Sequence, residues 1–191
     1  MQNIINKIKS SISLSSEAEK YIYAISRERR VSKGEVLIRE GQTVNKTFFV
    51  NQGSLRSFCV DKQGKEHTLQ FAIKDWWISD FIAMYNREPA SLTVECISDS
   101  VVIEFNAQKL NEIYLQFPEF EPFQRKNLER HVVGLHKRIL NQLQLTALER
   151  YHLFLEQYPD IEQYVSNYHI ATYLGITQQS LSRIRAEKAK K

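Results

Sequence analysis

The chain has 191 residues, of which 42% are hydrophobic and 25% charged, a balance typical of a soluble protein with one large domain or two small ones. No apolar run approaches the roughly 20 residues that cross a bilayer, and the first residues lack the apolar stretch of a signal peptide. We therefore expect a cytoplasmic protein with no membrane partner. Cys59 and Cys96 lie far apart in sequence and are expected to be reduced core residues.

The positive charge is concentrated towards the C-terminal end. The net charge is +4, and residues 168–191 contain five basic residues and one acidic residue, so the rest of the chain is neutral overall. A solvated basic tail would account for this surplus. A local anionic partner would account for it equally, and nucleic acid is the first candidate.

The first part of the chain, residues 1–118, changes texture after its opening residues. Residues 15–30 predict a short amphipathic helix with Ser15 or Ser16 as its N-cap. Short β-rich runs follow, separated by glycine and aspartate, and this pattern predicts an antiparallel barrel or sandwich. We expect Trp76 and Trp77 to pack the core and rim of that unit; a small ligand lined by these rings is the alternative.

A long helix is predicted over residues 119–145. Its apolar residues Leu128, Val132, Leu135 and Ile139 are spaced four, three and four, which is close to the period of a coiled-coil seam. The helix could pack this face on its own domain. Its length and the charges on its other face favour a homodimer interface instead.

Short helices are predicted in the last segment, residues 146–191, of which Thr146–Gln157 is the first. Ser166 can cap the next helix, and Gly175 can end it in a left-handed conformation that costs other residues more. Thr177 can cap a further helix after only a short turn. Two helices joined so closely must nearly touch, and Ala171 supplies a small residue at the crossing.

The last of these helices has a face suited to the major groove of DNA. At roughly 100° per residue, Leu181 and Ile184 point inward and polar residues point outward. Arginine can pair with guanine, glutamine with adenine, and serine or threonine with base edges or phosphate. The candidate DNA-contacting residues are Thr177, Gln178, Gln179, Ser182, Arg183, Arg185 and Lys188.

Residues 169–185, HIATYLGITQQSLSRIR, resemble the helix-turn-helix of the Crp/Fnr transcription regulators, and residues 33–56 resemble the first half of their β-roll. The resemblance implies an α+β fold: an N-terminal antiparallel β-roll (a jelly roll of the cyclic-nucleotide-binding type), a long dimerisation helix and a C-terminal DNA-binding unit. It also implies a regulator that binds a palindromic operator as a homodimer. Double-stranded DNA is the implied partner, and RNA polymerase is a further candidate. The family's base-contacting positions fall on Gln178, Gln179 and Arg183.

The resemblance has one large departure in the DNA-binding unit. Members of the family continue past the recognition helix into a β-hairpin wing, whereas this sequence stops at Lys191. We expect a helix-turn-helix without a full wing. Either the wing is dispensable here, or Lys188, Lys190 and Lys191 replace its phosphate contacts with sequence-independent ones, which is the alternative we favour.

A second departure lies in the family's phosphate-binding cassette. Its Gly–Glu pair matches Ser79 and Asp80, and its Arg–Ser pair matches Ala90 and Ser91. Without the arginine, the charge of a buried cyclic phosphate would be unpaired, so cyclic AMP is not expected and no cofactor is assigned. The dimer helix would line this effector pocket with Leu135 and His136. Clustered N-terminal cysteines that could hold an iron–sulfur cluster are missing.

Two other classes of protein compete with a DNA-binding regulator. One is a ligand-sensing or protein-interaction module whose degenerate helix-turn-helix does not bind DNA. The other is an enzyme with a cupin-like metal site, which needs several convergent histidines. Of five histidines, His67 alone falls in the predicted β region. We therefore predict no catalytic residues and no metal ligands.

Overall fold

The computed structural model describes residues 1–188, without the side chain of Lys188. The predicted phosphate contacts of Lys188, Lys190 and Lys191 lie outside the described residues. The helices are α1 (Gln2–Lys9), α2 (Ser16–Ile25), α3 (Phe81–Asn86), α4 (Ala107–Gln116), α5 (Glu121–Gln144), α6 (Ala147–Gln157), α7 (Asn167–Leu174) and α8 (Gln178–Lys188). The strands are β1 (Ser26–Val31), β2 (Val36–Ile38), β3 (Lys46–Gln52), β4 (Leu55–Val60), β5 (Glu66–Ala72), β6 (Trp77–Ile78), β7 (Thr93–Cys96) and β8 (Ser100–Asn106).

The strands form two antiparallel four-stranded sheets, in the orders β1-β8-β3-β6 and β2-β7-β4-β5. Apolar side chains from both sheets meet in one core, to which Phe48 and Val102 contribute from the first sheet and Leu55 and Val94 from the second. The burial of these apolar side chains drives the association of the two sheets. The predicted α+β fold with an antiparallel β-roll is confirmed.

The predicted helix over residues 15–30 is confirmed as far as Ile25 and is wrong over residues 26–30. Ser15 is its N-cap, and its hydroxyl accepts a hydrogen bond from the backbone N–H of Ala18 at 3.2 Å. The helix ends at Ile25, and residues 26–31 form β1, which pairs with β8 along its whole length. Pairing with a distant strand outweighs the local helical pattern, and Arg29 adds an ion pair with Glu104 at 2.8 Å.

Three helices, α1, α3 and α4, have no counterpart in the sequence prediction. Helix α1 buries Ile4, Ile5 and Ile8 completely against residues of β3 and β8, including Phe49 and Phe105. Helices this short have little stability in isolation, so the tertiary contacts decide whether they form.

The predicted long helix is observed as α5, preceded by a 3₁₀ turn at Pro118–Phe120. The four residues of the predicted seam, Leu128, Val132, Leu135 and Ile139, are 38–58% exposed. Within this chain, therefore, the seam does not pack on the β-roll. The partly buried face of α5 is a different one, which includes His131 and Arg138.

The C-terminal helices share a core with the roll. Phe71 of β5 is fully buried, with ring centroids 5.9 Å from Phe154, 5.8 Å from Tyr158 and 5.3 Å from Tyr173. Trp76 packs against the core of the roll, and its ring also lies 5.6 Å from that of Tyr158, the C-cap residue of α6. This shared core contains residues from both sides of the boundary predicted between residues 145 and 146. The division of the chain into three domains stays a prediction.

Polar contacts of Thr68 and Arg138 also hold the C-terminal helices against the roll. The hydroxyls of Thr68 and Thr172 lie 2.7 Å apart and are buried. Arg138 of α5 donates to the backbone oxygen of Thr68 at 2.9 Å and of Tyr173 at 3.0 Å, and it stacks on the Tyr173 ring with 4.2 Å to the centroid. Arg138 thereby joins the long helix, the roll and the helix-turn-helix at one point.

Candidate nucleic-acid interface and effector site

The turn between α7 and α8 has the predicted geometry. The Ser166 hydroxyl caps α7 by accepting from the N–H of His169 at 3.2 Å, and the Thr177 hydroxyl accepts from the N–H of Ser180 at 3.1 Å. Gly175 has φ = 70°, and a Cβ on it would lie 3.0 Å from the side-chain nitrogen of Gln142. Glycine is therefore favoured here by both its backbone conformation and the neighbouring α5.

Helix α8 has one buried face and one exposed face. Leu181 and Ile184 are buried in the core that α6 and α7 form with the roll, and Ala171 is buried with them. The exposed residues of α8 include Gln178, Gln179, Ser182 and Arg183. Docking of the helix-turn-helix on the roll leaves this set of glutamine, serine and arginine side chains free to approach a ligand.

The side chains of Thr177 and Arg185 bond to other groups of the protein. The Thr177 hydroxyl is engaged as the cap. The Arg185 guanidinium donates to the Tyr151 hydroxyl at 3.1 Å and also bonds Asn167 and Glu162. These partners hold Arg185 against the body of the unit, so we leave it out of the proposed DNA-contacting surface. Sequence spacing could not reveal this, because Glu162 and Tyr151 lie on other elements.

The cassette residue Asp80 has its carboxylate fully engaged within the chain. It is completely buried, and its first oxygen caps α3 by accepting from the N–H of Ala83 at 3.1 Å. Its second oxygen accepts from the N–H of Ser91 at 2.7 Å, the N–H of Leu92 at 2.9 Å and the hydroxyl of Ser91 at 3.1 Å. The amides of the cassette are thus already bonded to an anion, the Asp80 carboxylate.

The other predicted pocket residues do not complete a nucleotide site. The buried Ser79 donates its hydroxyl proton to the Lys46 backbone oxygen at 2.8 Å. Ala90 is buried, with its N–H bonded to Gln42 and its carbonyl to Gly41. On α5, Leu135 is exposed, and His136 bonds the Val132 carbonyl of its own helix at 2.9 Å.

These residues do not fit a cyclic nucleotide. The carboxylate that would hold a ribose hydroxyl is saturated, and the position that would neutralise the phosphate is an alanine. Arg87, the nearby cation, is exposed and occupies the left-handed C-cap of α3, with φ = 58°. We derive no function through a bound nucleotide.

A half-buried histidine, His169, lies where α7 meets the roll. The Nδ1 atom of His169 is buried without a hydrogen-bond partner. Burial lowers the pKa of His169, and the positive charges of Arg56 and Lys33 lower it further. The carboxylates of Glu95 and Glu66 act in the other direction and raise this pKa. The folded protein therefore favours the neutral imidazole.

We expect acid to weaken the fold through His169. The unfolded imidazole, with a pKa of about 6.5, takes up a proton before the folded one, so the free energy of unfolding falls as the pH drops below about 6.5. The variant His169→Gln should show a shallower fall between pH 7 and pH 5.5 in urea unfolding, whereas His152→Gln, at an exposed position, should match the wild type. Equal slopes for all three proteins would contradict the assignment.

Among residues 1–188, no three His, Cys, Asp or Glu side chains are grouped so that they could hold a metal ion. In the same part of the chain, no helix combines the length and hydropathy needed to cross a membrane.

Known proteins resemble this chain in sequence and in fold. A cyclic nucleotide-binding domain model matches residues 28–117. The transcriptional activator FnrA of Stutzerimonas stutzeri is 25% identical over 171 residues, covering 84% of this chain and 69% of FnrA. The structure of FixK2 from Bradyrhizobium japonicum superposes with a TM-score of 0.73 at 17% identity, covering 87% of this chain and 85% of FixK2.

A further structural neighbour, a transcriptional regulator of the Crp/Fnr family from Eubacterium rectale, has a TM-score of 0.72 at 17% identity over 93% of this chain and 85% of its own. These two structures therefore share the overall fold of this chain. With the matched domain model and the related activators, they make this chain similar to transcription regulators of the Crp/Fnr family.

Proposed function

We propose that this protein is a cytoplasmic, DNA-binding transcription regulator that binds a palindromic operator as a homodimer and is not an enzyme. The observation that carries the proposal is the exposed outer face of α8. Gln178, Gln179, Ser182 and Arg183 stand free on a helix whose inner face and N-terminal cap are fixed. A helix so presented fits the major groove, where glutamine can contact adenine and arginine can contact guanine.

The homodimer is supported by the exposed seam of α5. Four large apolar side chains along one side of a solvent-facing helix are costly unless another surface covers them. Their spacing matches the seam of a two-stranded coiled coil. A parallel pair of α5 helices would place both helix-turn-helix units at the same end, as two half-sites on one DNA duplex require.

We propose further that DNA binding does not depend on a cyclic nucleotide. The engaged Asp80 carboxylate already bonds the amides of Ser91 and Leu92. The cassette is therefore ordered by a side chain of the protein itself, and the docked helix-turn-helix already exposes its outer face. RNA polymerase is a further candidate partner, in keeping with a role as an activator.

Arg183 is the residue on which the proposal is tested. We expect Arg183→Ala to reduce affinity for the operator, selected from a random DNA pool, by about 10- to 100-fold, because a bidentate arginine–guanine contact contributes about 1–3 kcal/mol. Affinity for unrelated DNA should change much less. Fluorescence anisotropy with operator and scrambled duplexes measures both.

Two controls accompany this substitution. Arg130→Ala removes the same charge from an exposed position on α5 and should leave operator affinity nearly unchanged. Arg183→Lys keeps the charge without the planar fork, so it should lose discrimination while retaining the salt dependence. If specific binding survives Arg183→Ala, α8 is not the recognition helix. If the wild type binds no DNA specifically, the proposal itself fails and an interaction module becomes the better interpretation.

A further inference from the structure

The C-terminal half of α5 meets the rest of its own protomer chiefly at one side chain. Residues 132–144 are all exposed except Arg138 and Asn141, which are partly buried. Most of the apolar seam, the surface proposed above to pair with a second copy, lies in this same half of the helix. The part of α5 that would bind the partner subunit is therefore attached to its own protomer mainly through Arg138.

The Arg138 guanidinium bonds two other parts of the chain at once. Its Nη2 atom donates to the backbone oxygen of Thr68 in β5 at 2.9 Å and to that of Tyr173 in α7 at 3.0 Å. Its Nη1 atom donates to the backbone oxygen of Leu69, also in β5. The donors of a guanidinium have fixed directions, unlike those of a lysine ammonium on its flexible stem. Arg138 therefore constrains both the distance and the angle between α5 and α7.

The bond to Tyr173 bears directly on the direction of α8. Tyr173 belongs to the last turn of α7, whose backbone oxygens lack partners within the helix and favour a cation. Only residues 175–177 separate α7 from α8, and Leu174 and Leu181 of the two helices share one core. The two helices therefore move as one unit, and a rotation of α7 relative to α5 turns α8 by the same amount.

We propose that Arg138 is a positioning residue that determines which half-site spacing the dimer accepts in its operator. The inference rests on the homodimer and the DNA-binding function proposed above. In a parallel dimer the two seams are fixed to each other, so the separation of the two α8 helices depends on the angle at which each α5 holds its own α7. A fixed angle allows both half-sites to be contacted at one spacing only.

Operator duplexes with altered spacing test this role. One base pair is added to or removed from the centre of the palindrome selected from a random DNA pool, which turns one half-site by roughly 35° about the duplex axis. The wild type should lose about 100-fold in affinity on either change, because the second half-site contact is lost. Arg138→Ala should lose tenfold or less, because a loosened α7 can follow the displaced half-site. Fluorescence anisotropy measures each affinity.

The same measurements separate positioning from general damage to the protein. Arg138→Ala should bind the correctly spaced operator about tenfold more weakly than the wild type, since α7 must then be ordered on binding. It should bind the altered duplexes as tightly as the wild type or more tightly. A protein that is merely less stable would lose affinity for all duplexes in the same proportion. Sedimentation velocity and a thermal melt establish that the variant is a folded dimer.

Two further variants control for charge and for folding. Arg138→Lys keeps the positive charge without the planar fork, so it should tolerate altered spacing as Arg138→Ala does. As the milder substitution, it also provides the measurement if Arg138→Ala does not fold. Lys137→Ala removes a positive charge from the neighbouring exposed position and should retain the full discrimination of the wild type.

The possible failures of this inference and of the proposed function differ in these assays. Full discrimination by both Arg138 variants would overturn the positioning role and leave the DNA-binding function in place. A wild type that binds its operator but tolerates altered spacing would also overturn it, because the dimer would then have no fixed spacing. A wild type without specific DNA binding would refute the proposed function, and the inference with it.

Discussion

Leu135→Glu combined with Ile139→Glu is expected to convert the protein to a monomer and to lower its operator affinity by about 100-fold or more. Both side chains are exposed in the protomer, so the fold itself should tolerate the change. In the dimer the four carboxylates would face one another across the seam, where their burial and repulsion are costly. A monomer also loses the high effective concentration that links two half-site contacts.

Sedimentation velocity and anisotropy with the full operator measure the two effects together. Lys137→Glu is the matched control, because it also changes the net charge by two units but lies on the opposite side of α5. It should leave the protein dimeric. A double variant that remains dimeric would show that the seam of α5 is not the interface.

Asp80→Ala is expected to be the most destabilising single substitution in the cassette, by about 3–5 kcal/mol. The change removes the acceptor of three backbone N–H groups, those of Ala83, Ser91 and Leu92. Buried donors left without a partner cost about 1–3 kcal/mol each. The loop between α3 and β7 would also lose the anion that orders it. Urea unfolding at neutral pH measures the change in the free energy of unfolding.

Ser91→Ala is the control for that experiment. It removes one hydroxyl at an exposed position and leaves the backbone bonds to Asp80 in place, so it should cost under about 1 kcal/mol. Added cyclic AMP should shift the melting temperature of neither the wild type nor Ser91→Ala. A loss below 1 kcal/mol for Asp80→Ala would show that the cassette is not held by its carboxylate. A melting shift with cyclic AMP would overturn the proposed independence from nucleotide.

The local signals in the sequence predicted the helix-turn-helix well. Ser166, Gly175 and Thr177 act within one or two turns of the chain, so their capping roles depend little on distant residues. The inward orientation of Leu181 and Ile184 follows from the helical period alone. The apolar spacing on α5 likewise predicted a face that the protomer leaves exposed.

The sequence could not predict features that depend on pairing across the chain. Residues 26–30 belong to the predicted helix but form most of strand β1, because β8 offers a complete ladder of backbone partners. Arg185 looks like a DNA contact in sequence, yet it is held by Glu162 and Tyr151 from other elements. The Asp80 position resembles a ligand-binding carboxylate, and only the folded loop shows that its acceptors are occupied.

The sequence by itself therefore determined the helix-turn-helix, its outward polar face and the apolar seam, since caps and periodicity act over short distances. The tertiary structure alone decided how the helix-turn-helix docks on the roll and which charged groups remain free. Phe71 and Arg138 reach that junction from elements far apart in sequence. Their partners are brought together by the burial of the shared aromatic core, which no local pattern encodes.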